Sequence, residues 1–206
     1  MFYEKIKYLK PKLGEYLLII SPDDEVSSAI TKFKKIHKDV YSCIYSANLK
    51  PHITLSNFVQ NAAMENTIIR RLENFSKTIL PFDIYLNGFG FFSNQTSTTY
   101  MNIEKEYPII ELVNGVKTRY RSLLQFDEEL KPYFASKPHI TIARGMTQEQ
   151  FSRSLKDWSN KKFSCKFHAH EMLLLKRDFT GGNYAVVKCF PFNPNATQIV
   201  QLSLFN

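Results

Sequence analysis

The residues best suited to chemistry lie in two copies of one pentapeptide, Lys-Pro-His-Ile-Thr, in a chain of 206 residues. On an extended strand, residues two positions apart project from the same face. The first copy therefore pairs His52 with Thr54, and the second pairs His139 with Thr141, while the intervening isoleucines point to the core. Each strand is predicted to present one imidazole and one hydroxyl.

If these two strands face each other across a cleft, their side chains suit a phosphodiester. A neutral imidazole can accept a proton from water, and a protonated imidazole can donate one to the departing oxygen. Threonine hydroxyls can donate hydrogen bonds to nonbridging phosphoryl oxygens, and a nearby arginine can neutralise developing charge. We predict catalytic roles without a metal or cofactor for His52, Thr54, His139 and Thr141, and phosphate binding by Arg144.

A single His-Ile-Thr is weak evidence, because a lone histidine here is usually a half-buried strand residue after a proline boundary. Two copies, each in a strand-like segment, favour catalysis. The alternative from another class is a non-catalytic nucleotide-binding or RNA-binding module, which would not require both imidazoles.

The two motifs resemble those of the two-histidine phosphoesterases, and within them the 2′-5′ RNA ligase and RNA 2′,3′-cyclic phosphodiesterase family. The family's His-x-Thr-hydrophobic pattern is complete in His-Ile-Thr-Leu from His52 and in His-Ile-Thr-Ile from His139, and Arg144 matches the second motif's arginine. The resemblance covers residues 14–192. It implies a bilobal fold, RNA ends or cyclic nucleotides as substrates, and opening of a 2′,3′-cyclic phosphate to a 2′-phosphate.

The two motifs differ in the residues on their C-terminal side. After Thr54 and Leu55 the chain reads Ser-Asn-Phe, with no arginine to match Arg144. The resemblance favours His52 as the acid for the leaving 3′ oxygen and His139 as the base for water. Other substrates remain open, such as a cyclic phosphate on ADP-ribose or a 2′-5′ linked oligonucleotide.

Composition agrees with an anionic partner. The formal net charge is +8, and excess lysine and arginine attract phosphates, although a solvated basic surface has the same composition. The three cysteines are widely spaced, which predicts no disulfide framework and favours a reducing, cytoplasmic location. No apolar run is long enough for a membrane span or a signal peptide.

The elements that must position these residues alternate along the chain. Apolar periodicity predicts helices after residue 21, over 61–80, after Pro108 and after the capping box at Thr147. Strands are predicted over 15–21, 163–175 and 184–190, at the two motifs, and as a hairpin over 82–92 and 98–103. The fold class predicted is α/β (α+β): a bilobal pseudo-twofold duplication with two antiparallel sheets flanked by helices around a central cleft.

Residues 1–192 are predicted to form one domain, followed by a tail over 193–206. Its Gln201-Leu202-Ser203-Leu204-Phe205 is similar to the pentapeptide that docks bacterial proteins on the sliding clamp, and a last strand is the alternative reading.

Weaker candidates lie within the domain. Phe58 and Tyr184 are candidates for base stacking, although aromatic residues are more often core. His168 and His170 have a spacing that a metal could use, but no carboxylate or cysteine pattern completes it.

Overall fold

The computed structural model describes residues 11–93 and 97–196. Over these residues the chain forms an antiparallel sheet of nine strands flanked by four α-helices. The elements, in chain order, are β1 (Leu13–Ile20), α1 (Asp24–Tyr41), β2 (Ile53–Asn61), α2 (Glu65–Ser76), β3 (Phe82–Phe92), β4 (Thr98–Ile103), α3 (Tyr107–Leu124), β5 (Tyr133–Phe134), β6 (Ile140–Arg144), α4 (Gln148–Trp158), β7 (Ser164–Ala169), β8 (Glu171–Asp178) and β9 (Gly181–Pro191).

The sheet consists of two four-stranded halves, β7-β3-β4-β6 and β2-β1-β8-β9, with β5 paired to β2. The halves meet between β2 and β6, where Ile53 pairs with Ile140. Helices α1 and α4 pack on the first half, and α2 and α3 pack on the second. Each half thus buries one face under two helices, which confirms the bilobal antiparallel architecture.

The lobes are interleaved along the chain rather than sequential. Helix α1 leaves β1 and packs against β6 and β7 of the opposite half. The single strand predicted over 163–175 is two strands, because β7 pairs with β3 while β8 pairs with β1. The break at His170 carries the chain from one half to the other, and the His170 carbonyl oxygen accepts a backbone hydrogen bond from Phe192 at 2.7 Å.

Helix ends follow local side-chain chemistry. Asp23 caps α1, its carboxylate accepting the Val26 amide hydrogen at 2.8 Å. The predicted capping box at Thr147 is confirmed, with the Gln150 side chain closing it. Helix α2 is shorter than predicted, because β2 continues to Asn61 and a 3₁₀ turn, Ala62–Met64, precedes the helix.

The core is continuous and lies between the sheet and its helices. Ile53 and Ile140, the middle residues of the two His-Ile-Thr motifs, are both fully buried, as the strand pattern predicts. None of the helices in the described ranges is long and apolar enough to cross a bilayer. The tail sequence at Gln201 to Phe205 lies outside the described residues, and the domain boundary at 192 stays a prediction.

Candidate active site

Both motifs open onto one cleft of about 560 Å³ between the two halves of the sheet. Its lining includes all five residues predicted to act on a phosphodiester, namely His52, Thr54, His139, Thr141 and Arg144. Tyr184 lines the cleft as well. The structure therefore brings two distant segments of the sequence to one surface.

The pairing of β2 with β6 explains this convergence. Ile53 lies opposite Ile140 in an antiparallel register. Continuing that register by one residue on each side sets His52 opposite Thr141 and Thr54 opposite His139. These four side chains project from the face opposite the buried isoleucines, toward the cleft.

A β-bulge follows each motif at the same position. In β2 the pairing with β1 skips Leu55, and in β6 the pairing with β4 skips Ile142. An extra residue reverses the alternation of faces beyond it. The third residue after each threonine consequently lines the cleft, and these two equivalent residues are Asn57 and Arg144.

The first bulge removes Phe58 from the cleft. Phe58 is 1% exposed and stacks on Tyr16 in the core, with ring centroids 5.2 Å apart. The prediction of Phe58 as a base-stacking residue is therefore corrected: without the bulge it would share the face of Thr54, and with the bulge it faces the helices. Asn57 takes the position facing the cleft.

The same local contact orients the imidazoles of His52 and His139. The Nδ1 atom of His52 lies 2.9 Å from the Lys50 carbonyl oxygen, and that of His139 lies 2.8 Å from the Lys137 carbonyl oxygen. A carbonyl only accepts, so each Nδ1 carries the hydrogen and donates it. The Nε2 atom of each neutral ring is then left as a proton acceptor, the form that a general base requires.

Charges around His52 favour its neutral form. Burial lowers the pKa of His52 most, and the Lys50 carbonyl partly opposes this by accepting its hydrogen bond. The positive charges of Lys34 and Arg144, and then that of His139, lower the pKa of His52 further.

Different charges act on His139. Burial again lowers its pKa most, with the Lys137 carbonyl opposing. The Lys137 ammonium lowers the pKa of His139, and the Glu106 carboxylate raises it. Lys137 and Glu106 form a 2.6 Å salt bridge with each other. The two imidazoles therefore respond to separate sets of charges.

Two aromatic rings surround the His139 imidazole. The ring centroids of Phe92 and Tyr100 lie 5.1 and 5.0 Å from that of His139. These two rings also stack on each other at 4.3 Å. The ring of Tyr100 covers Gly90, where an added Cβ would clash with it. This packing holds the His139 ring in place and keeps water from one side of it.

At the opposite end of the cleft, polar side chains from β1, β2, β8 and β9 form a network. The Glu15 carboxylate accepts from Arg177 at 2.6 Å and from the Tyr184 hydroxyl at 2.7 Å. Asn57 donates to the same carboxylate at 3.1 Å. The Arg177 guanidinium also lies over the Tyr184 ring, 4.8 Å from its centroid. Because Asn57 also donates to the Tyr184 hydroxyl at 3.4 Å, three neighbours hold this aromatic side chain.

Sequence reasoning missed several cleft residues. Asn57 could have been found, because it follows its motif at the same spacing as Arg144. Glu15 and Arg177 become neighbours only through the pairing of β1 with β8, and Lys34 lies on a helix that crosses to the other lobe. The exposed Tyr133 reaches the cleft from the two-residue strand β5.

His168 and His170 lie away from this cleft. Nδ1 of His168 is 2.9 Å from an Asp83 carboxylate oxygen, and that of His170 faces the His168 carbonyl at 3.4 Å. Within the described ranges, no group of three or more His, Cys, Asp or Glu residues is arranged to hold a metal ion.

An antiparallel bilobal protein with two His-x-Thr strands facing one cleft has the architecture of a two-histidine phosphoesterase. The chain belongs to the 2′-5′ RNA ligase superfamily, whose sequence model matches residues 22–180. It is 25% identical over 182 residues to a Bacillus licheniformis protein named "putative phosphoesterase", covering 85% of this chain and 97% of that protein. A protein of the same name from Oceanobacillus iheyensis is 25% identical over 162 residues, covering 78% and 88%.

Solved structures agree on the fold. Escherichia coli LigT complexed with 3′-AMP superposes with a TM-score of 0.63 at 16% identity, covering 89% of this chain and 99% of that chain. The Thermus thermophilus protein TT0787 gives a TM-score of 0.59 at 18% identity, covering 88% and 99%.

Proposed function

We propose that this protein is a metal-independent phosphodiesterase that opens RNA 2′,3′-cyclic phosphates to 2′-phosphates. The observation that carries the proposal is the shared cleft, in which two imidazoles with the same tautomer face two threonine hydroxyls. Membership of the 2′-5′ RNA ligase superfamily supports a nucleotide phosphoester as the substrate.

The proposed reaction uses both histidines. Nε2 of neutral His139 takes a proton from water as the water oxygen attacks phosphorus. The bond from phosphorus to the 3′ oxygen breaks, and protonated His52 gives its Nε2 proton to that oxygen. Thr54 and Thr141 donate hydrogen bonds to the nonbridging oxygens, and Arg144 neutralises the charge that grows on them.

Substrate binding and protonation of His52 are coupled in this scheme. Lys34 and Arg144 oppose a positive charge on His52 in the free protein. A bound phosphodiester brings a negative charge between these groups, which offsets that repulsion. His52 is therefore expected to gain its proton more readily once the substrate is in place.

The nucleoside is proposed to lie toward Tyr184. At that end the charge of Arg177 is already balanced by Glu15, so the surface offers an aromatic ring and polar atoms rather than an unbalanced cation. A base can stack on such a ring, and the exposed Tyr133 offers a second one. Tyr184→Ala is expected to raise KM more than it lowers kcat.

The test is turnover of a substrate panel with product analysis. The panel contains 2′,3′-cyclic mononucleotides, a 2′-5′ linked dinucleotide and ADP-ribose 1″,2″-cyclic phosphate. A 2′-phosphate product supports the proposal, and EDTA is expected to leave the rate unchanged. A 3′-phosphate product, turnover of only the other substrates, or no turnover at all would contradict it.

Variants locate the reaction in the cleft. His52→Ala and His139→Ala are each expected to lower kcat by about 10² to 10⁴-fold, the usual contribution of one acid or base. His168→Ala is the matched control, because this exposed histidine lies outside the cleft. Full activity in either cleft variant would remove the proposed mechanism.

A further inference from the structure

We propose that Lys34 is a second phosphate-binding residue of the cleft, acting with Arg144 on the same anion. This inference rests on the proposed function for the identity of the anion as a phosphoester. Lys34 lies on α1, far in sequence from both motifs, and none of the motif residues predicts it.

The burial of Lys34 is unusual for its residue type. Its side chain is 2% exposed, yet it lines the cleft beside the catalytic residues. It occupies the apolar stripe of α1 between Ile30 and His37, both fully buried, where an aliphatic residue would pack at lower cost. A lysine that stays in such a position requires a partner for its charge.

The structure provides Lys34 with one neutral partner. Its Nζ atom donates to the Ser46 carbonyl oxygen at 3.3 Å. An ammonium has three hydrogens to donate, and over residues 11–93 and 97–196 this is the one hydrogen bond that Lys34 Nζ makes. Two donors are therefore available to a ligand in the cleft.

The charge near Lys34 is unbalanced. Neither Lys34 nor Arg144 forms a salt bridge with any described residue, whereas Arg177 at the other end of the cleft is paired with Glu15. Burial, and then the positive charge of Arg144, lowers the pKa of Lys34 to about 8. Two cations that repel each other in a partly closed cleft form a site for an anion.

Ser46 connects the two cations to the second bulge. Its hydroxyl donates to the Ile142 carbonyl at 3.1 Å and accepts the Arg144 amide hydrogen at 3.2 Å, while its carbonyl accepts from Lys34. The backbone that holds the Lys34 ammonium is thus bonded to the backbone that carries Arg144. This arrangement fixes both cations relative to the second motif.

The experiment is calorimetric titration of the full chain with inorganic phosphate. Lys34→Met keeps the aliphatic stem and removes the charge, and it is expected to weaken phosphate binding about tenfold to a hundredfold. Lys35→Met, an exposed neighbour on the same helix, is the matched control and is expected to bind like the wild type.

Thermal unfolding separates binding from structure. Because Lys34→Met replaces a buried charge by an apolar side chain, its melting temperature is expected to be equal to or above that of the wild type. Weaker phosphate binding at unchanged or higher stability supports the site. Unchanged phosphate binding in Lys34→Met, an equal loss in Lys35→Met, or no phosphate binding by the wild type would overturn it.

These outcomes are independent of turnover. A wild type that binds phosphate through Lys34 but turns over no cyclic nucleotide would contradict the proposed phosphodiesterase activity and leave the anion site in place. If the wild type and Lys34→Met turn over cyclic nucleotides equally well and also bind phosphate equally well, only the role of Lys34 is contradicted.

Discussion

The separate charges around the two histidines allow their roles to be assigned by pH. Arg144 lowers the pKa of His52, and Glu106 raises the pKa of His139. Arg144→Gln is therefore expected to raise the pKa of His52, and Glu106→Gln to lower that of His139. An interaction of about 1 kcal/mol, typical of charges in a partly solvated cleft, corresponds to about 0.7 pKa units.

The assay is kcat/KM for a 2′,3′-cyclic nucleotide between about pH 4.5 and 8.5, which reports the apparent pKa values of the free histidine pair. The pKa values of both histidines lie below the ordinary 6.5, so the wild-type rate is expected to fall above that pH. The acidic and alkaline limbs of the profile report the lower and the higher of the two pKa values, whichever histidine is the acid.

Arg144→Gln and Glu106→Gln are each expected to move one limb, and the size of the rate distinguishes the roles, because the rate follows the fraction of protein with the acid protonated and the base neutral. If His139 is the base, Glu106→Gln is expected to raise kcat/KM about fivefold at the acidic end of the range and to leave it unchanged at the alkaline end. If His139 is the acid, the same variant is expected to leave kcat/KM unchanged at the acidic end and to lower it about fivefold at the alkaline end. Arg121→Gln, an exposed substitution on α3, is the control. Limbs that move together, or that do not move in either variant, would refute the reasoning that separate charges control the two histidines.

Three further predictions concern stability and packing. Burial lowers the pKa of His37 to about 4, so as the pH falls from 6.5 only the unfolded chain takes up the proton. The free energy of unfolding is therefore expected to fall by about 3 kcal/mol by pH 4. Denaturant titrations of His37→Gln are expected to lack this pH dependence. Phe58→Ala is expected to lower the free energy of unfolding by about 3 to 5 kcal/mol in the same titrations, whereas the loss would be far smaller if Phe58 faced the cleft. Gly90→Ala is expected to displace the Tyr100 ring and lower kcat through His139, and a kcat equal to that of the wild type would show that this ring does not position His139.

Local patterns in the sequence predict the local structure well. The hairpin of β3 and β4 is predicted at its observed bounds, because aromatic and β-branched runs flank residues with turn chemistry. The capping box of α4 is also predicted, since it depends on residues three positions apart. The break between β7 and β8 is not, because it depends on which distant strand each segment pairs with.

The same distinction holds in the cleft. The repeated motif is enough to predict His52 and His139 as neighbours, because two identical segments suggest two equivalent strands. The bulge at Leu55 carries no signal in a single sequence, so the prediction for Phe58 puts it on the wrong face. Lys34 reaches the cleft only because α1 packs on the opposite lobe, which no periodicity indicates.

The single backbone pairing of Ile53 with Ile140 has a mechanical consequence for ligand entry. Several backbone-paired residues would resist any change of angle between the half-sheets, whereas a single pair resists it less. The residues on either side of that pair are His52, Thr54, His139 and Thr141, so the angle between the half-sheets sets the spacing of all four side chains. A ligand that required a different angle would therefore shift all four side chains together, with the two buried isoleucines between them.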